Sequence, residues 1–145
     1  MTKTRVKWIE GVTFMGLDAN GRGTLMSGME GPGVRPMQML LLALGGCSSI
    51  DVLSILQKQR LNISNLEVEL DGERAEEEPR PFKKIHIHFI VSGQQIDPKK
   101  VERAIKLSTE KYCGVYVSLS GVADITWGYE IRETENTLPT TTGTI

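Results

Sequence analysis

Val6 and Trp8 alternate with Lys7 and Ile9 near the amino end, and Val12, Phe14 and Leu17 form a second run after Gly11. These read as strands. Asp18-Ala19-Asn20-Gly21 between this run and Gly23–Ser27 is a turn signal, because Asn-Gly accepts the positive φ angles of a tight hairpin. Gly28 to Arg35, with glycines at 28, 31 and 33, reads as a loop. Further on, Leu66, Val68 and Leu70 alternate with Glu67 and Glu69, the pattern of a half-buried strand. Beyond the polar Glu76–Pro81 connection, Ile85, Ile87, Phe89 and Val91 form one strand face, with Lys84, His86 and His88 on the other. Gly93 is expected to end that strand. Ile125, Trp127, Tyr129 and Ile131 mark the last one.

Two stretches carry helical spacing instead. Pro36, acceptable in a first helical turn, opens a helix expected to reach about Arg60. Its apolar residues, from Met37 and Leu40 to Ile55 and Leu56, cover most of its circumference, so a buried central helix is expected. Gly45 and Gly46 each cost such a helix about 1 kcal/mol, and close approach of another backbone would account for the pair. The second helix has Asp97 as N-cap and Pro98 at its first position. Val101, Ala104, Ile105 and Ser108 form its buried stripe, and its end is expected near Tyr112. The predicted order is three strands, helix, two strands, helix, strand. That is an α+β fold with no internal repeat.

A chain of 145 residues suits one domain, expected over residues 1–133, followed by a flexible Thr-rich tail over residues 134–145. The 17 basic and 18 acidic residues form no basic stripe, which argues against a nucleic-acid partner. The first residues have no secretory pattern, and the apolar run Met39–Leu44 is far too short to span a bilayer. A cytoplasmic protein without a membrane partner is the expectation. In that reducing compartment, paired cysteines are more often catalytic, metal-binding or redox-sensing than structural.

The chain has two cysteines, Cys47 within the central helix and Cys113 after the second helix. A thiol can be oxidised to a sulfenic acid and captured by a second thiol; a buried cysteine can also be only a small core residue. Reaction needs the thiolate, which a nearby Arg or Lys favours. Asp51, one turn after Cys47, acts in the opposite direction, as does a helix C-terminus before Cys113. His86 and His88, two apart on a strand, could begin a zinc site but need further ligands; a polar strand face explains them equally. The Gly28–Gly33 segment lacks the Lys-Ser/Thr ending of a phosphate loop.

The run Arg35–Leu56, with Pro36 eleven residues before Cys47 and a Gly45-Gly46-Cys47 helix, resembles the OsmC/Ohr family, and so does Glu110–Leu119 with its Lys111-Tyr112-Cys113 segment. The resemblance extends from about Arg5 to Ile131 and is closest to an OsmC-like branch with Pro-Met at the helix start. It implies an OsmC-like fold, with antiparallel curved sheets around a long buried central helix, in an intertwined homodimer. It also implies thiol-dependent reduction of organic hydroperoxides in antioxidant stress defence, without metal or flavin cofactor. Cys47 would be the peroxidatic residue and Cys113 the resolving one. A dithiol of lipoyl or thioredoxin type would be the reductant. Arg35, Met37, Gln38 and Gly46 would support or line the site. Two positions depart from the family pattern. Met37 stands where the characterised peroxidases place a Glu, and the first hairpin lacks the Arg which that Glu orients. Arg22 and Arg35 are the nearest cations by sequence. A dimeric module binding an apolar small molecule between Met-rich helices, with Met37, Met39 and Met26 or Met29 lining the pocket, is the alternative reading.

Overall fold

The computed structural model describes Met1–Glu135. The expected tail therefore lies, from residue 136 onward, outside the described residues. The chain divides into two compact units, Met1–Ala43 and Leu44–Ile145, with the division falling inside the long helix.

The first unit carries three strands, β1 (Arg5–Glu10), β2 (Thr13–Leu17) and β3 (Gly23–Ser27), in an antiparallel sheet of that order. The Asp18–Gly21 turn forms as its residues dictate. The Asp18 carboxylate accepts the Asn20 and Arg22 amides at 2.8 and 2.9 Å, and Gly21 takes a positive φ of 80°. Every residue of β1 is exposed, Trp8 at 67%.

Helix α1 spans Pro36–Lys58. It is long and apolar enough to cross a bilayer by length and composition, yet it is partly buried as the core helix of this fold. The expectation of a helix buried all round needs correction. Burial follows one stripe, Leu44, Gly45, Ser48, Val52 and Leu56, whereas Leu42 and Ile50 stay 55% and 72% exposed. A single sheet covers only one side of a helix, so the remaining apolar surface has no cover among the described residues.

The second unit continues with β4 (Asn62–Arg74), β5 (Phe82–Gln94), α2 (Pro98–Leu107), a π-helical turn (Ser108–Tyr112), α3 (Gly114–Ser120) and β6 (Asp124–Glu133). Its sheet has the order β4-β5-β6. Central β5 supplies most of the core, with Ile85, Ile87, Phe89, Ile90 and Val91 buried. Strands β4 and β5 pair antiparallel, but β5 and β6 pair parallel from Lys84↔Asp124 to Gly93↔Glu133. The expected all-antiparallel arrangement is therefore wrong for this sheet. The cause is the helical crossover between β5 and β6, which returns the chain to the end from which β5 started; a parallel pair requires such a connection.

Gly93 does not end β5 but lies buried within it, where a side chain would collide with the Asn62 carbonyl. The α2 cap is as expected: Asp97 accepts the Lys99 amide at 2.9 Å, and Val101, Ala104, Ile105 and Ser108 are buried. His86 and His88 are engaged by β6. His86 Nδ1 lies 2.8 Å from Thr126 Oγ1, and His88 Nε2 lies 3.2 Å from Glu130 Oε1. His88 and then Arg132 hold the Glu130 carboxyl below its ordinary range.

Candidate functional site

The site begins with two apolar patterns that fix two elements. The stripe on α1 turns Ser48 fully inward, leaving Cys47 half-buried beside it. The stripe on α2 drives the following π-helical turn into the core, burying Ser108, Thr109 and Cys113. The turn closes with the Cys113 amide donating to the Ser108 carbonyl at 2.8 Å. π-helical turns occur frequently at functional sites.

Cys47, Asp51 and Cys113 converge, with one sulfur or carboxylate oxygen from each lying within 4.8 Å of the others. Both cysteines are free thiols. Ser48 Oγ donates to Cys113 Sγ at 3.5 Å, and the Tyr116 amide donates to the same sulfur at 3.3 Å. Ser108 Oγ donates to Asp51 Oδ2 at 3.1 Å. Burial pushes the Cys113 thiol above its ordinary value, and neighbouring Cys47 adds to the shift. The Ser48 and Tyr116 hydrogen bonds oppose it without cancelling it.

Cys113 was expected to follow a helix C-terminus alone. It is also the N-cap of the short α3, which supplies the Tyr116 amide. Ser48 and Ser108 were not expected at the site. Ser108 carried a signal, since a polar residue on a buried helical stripe must find a partner. Ser48 carried none, because its contact depends on the tertiary placement of Cys113.

The explanation offered for the glycine pair also changes. At Gly45 the close neighbour is a side chain, since an added Cβ would lie 2.6 Å from Leu70 Cδ1. At Gly46 an added Cβ meets nothing within 4 Å, and this residue is exposed on the turn before Cys47. Arg35, Met37 and Gln38 belong to the first unit. Met37 is half-buried and the other two are exposed. Arg35 donates to the Met29 carbonyl at 3.4 Å, and Arg22 pairs with Asp18 at 3.9 Å.

An open cavity of about 410 Å³ adjoins the cluster, lined by Asp51, Ser54, Ile55, Lys58, Gln59, Arg103, Leu107 and Tyr112. It combines apolar walls with two cations, and it shares Asp51 with the cluster.

Comparison with known proteins agrees with this architecture. The chain is 49% identical over 130 residues to Protein YhfA of Escherichia coli K12, covering 89% of this chain and 97% of the relative. The crystal structure of a hypothetical protein from Aquifex aeolicus VF5 superposes with a TM-score of 0.84 at 28% identity, covering 93% of this chain and 98% of that one. More distantly, the organic hydroperoxide resistance protein OhrB of Bacillus subtilis shares the fold, with a TM-score of 0.61 at 17% identity over 90% of this chain and 98% of the other. Residues 28–128 match the OsmC-like protein family, and with the YhfA identity this establishes that the chain belongs to that family.

Proposed function

We propose that this protein reduces organic hydroperoxides through a Cys47–Cys113 thiol couple. The observation that carries the reading is the convergence of the two free sulfurs within 4.8 Å, one half-buried and the other buried. The Cys47 thiolate attacks the distal oxygen of ROOH. The O–O bond breaks, ROH leaves after taking up a proton, and Cys47 becomes a sulfenic acid. Cys113 then attacks the Cys47 sulfur. The disulfide forms, and the sulfenic oxygen leaves as water with the Cys113 proton. A dithiol reductant, itself oxidised to a disulfide, restores both thiols by exchange. Burial disfavours the Cys113 thiolate, which slows the resolving step.

The same reading places the protein in the cytoplasm, where dithiol reductants are kept reduced. It also makes the working form a homodimer, in which a second copy covers the apolar surface of α1 and of the β1–β3 sheet. The two positions that depart from the family pattern, Met37 and the Arg-free first hairpin, predict slow turnover.

The test follows consumption of cumene hydroperoxide with excess dihydrolipoyl or thioredoxin-type reductant. Cys47→Ser should abolish consumption. With the reductant left out, Cys113→Ser should complete one turnover per chain and accumulate a sulfenic acid that dimedone traps. Absence of Cys47-dependent turnover from pH 6 to 9 would reject the proposal in favour of a non-catalytic binding module.

A further inference from the structure

We propose that the reduced thiol pair and Asp51 form a zinc site, Cys47 Sγ–Asp51 Oδ–Cys113 Sγ, whose fourth position opens on the adjoining cavity. The inference does not rest on the peroxidase reading, because it requires only reduced thiols.

Cys47 and Asp51 stand four residues apart on α1, so they share one helix face with Cβ atoms about 5–6 Å apart. Cys113 is presented to that pair from the C-terminal end of the π-helical turn. Three donor atoms within 4.8 Å of one another are close to a chelating set. Zinc bonds of about 2.3 Å to sulfur and about 2.0–2.2 Å to oxygen place tetrahedral ligand atoms roughly 3.5–3.8 Å apart. Side-chain rotation of about 1 Å closes the difference. Two thiolates and one carboxylate suit zinc, a borderline-soft ion.

The surroundings also fit. Metal ligands are ordinarily oriented by outer hydrogen bonds. Ser108 holds Asp51 through Oδ2, while Ser48 and the Tyr116 amide hold Cys113. The entry path is the cavity that Asp51 lines. A bound divalent ion deprotonates a coordinating thiol outright. Binding therefore releases thiol protons to bulk water, and it withholds both sulfurs from oxidation while the metal stays.

The test titrates the reduced full-length protein with cadmium chloride, following sulfur-to-cadmium charge-transfer absorption, and with zinc chloride against a chromophoric chelator. The expected result is one ion per chain, a two-thiolate band, and slowed reaction of both cysteines with a thiol reagent when zinc is present. Asp51→Asn and Ser108→Ala should each weaken binding by about 10- to 100-fold while keeping the two-thiolate band. Iodoacetamide capping of Cys47 in the otherwise native chain should abolish the band, which keeps the test valid even if cysteine variants misfold. No band at stoichiometric metal, one ion shared by two chains, or unchanged affinity in Asp51→Asn would overturn the assignment.

Discussion

Cys113 is fully buried, and burial is the largest influence holding its thiol protonated. This has a consequence for stability. The folded state keeps that proton at pH values where the unfolded chain, with an ordinary thiol near 9.0, has released it. Stability linked to Cys113 is therefore fully present below pH 9 and is lost as pH rises through the higher folded value. The urea midpoint should fall as pH rises above 9 in the reduced native protein, and measurably less in Cys113→Ser. Equal slopes in the two would show that burial has not shifted this thiol. Both cysteines were legible in the sequence as candidates, and so was Asp51 as a charge facing Cys47. The direction of the Cys113 shift was expected, but from the wrong cause, a helix C-terminus. What decides it is burial by the α2 stripe, which the sequence displayed in Val101, Ala104, Ile105 and Ser108. The donors to its sulfur come from elements brought together only in the folded chain.

Most strands and helices of this chain were visible as periodicity, because most have one buried and one exposed face, and β1 alternates although it is exposed throughout. The Asp97–Pro98 start of α2 and the Asn20-Gly21 hairpin were legible for the same reason: local chemistry alone specifies them. The parallel β5–β6 pairing was not, since strand direction depends on where the crossover deposits β6. Helix α3 was also missed, its seven residues being too few to show a period. Helix α1 offers a quantitative check at this scale. Gly46 is exposed and an alanine there meets nothing, so Gly46→Ala should stabilise the chain by up to about 1 kcal/mol. Gly45→Ala should stabilise it less, because Leu70 must rotate away from the new methyl group. Urea unfolding of the two variants reads the difference. A destabilised Gly46→Ala would place atoms of another chain against this turn.

At the scale of the whole molecule, the apolar periodicity of α1 exceeds what one chain buries. Ile50 and Leu42 on α1, Trp8 and Val6 on β1, and Val122 after α3 all remain more than half exposed. We therefore expect a homodimer at micromolar concentration by multi-angle light scattering, with an interface resembling a divided core. Ile50→Glu should shift the protein towards monomer and lower its thermal midpoint. A monodisperse native monomer would contradict the homodimer. The sequence implied a fully covered helix, and only the three-dimensional arrangement shows which side lacks cover. The crossover to β6 has one more consequence, in the order of events during folding. Strands β4 and β5 meet through a short connection, whereas β6 must wait for the whole helical segment to close a long loop. Cys113 travels on that segment. Cys47 thus emerges and enters its helix well before Cys113 can reach it, so the nascent chain passes through an interval in which the Cys47 thiol stands alone.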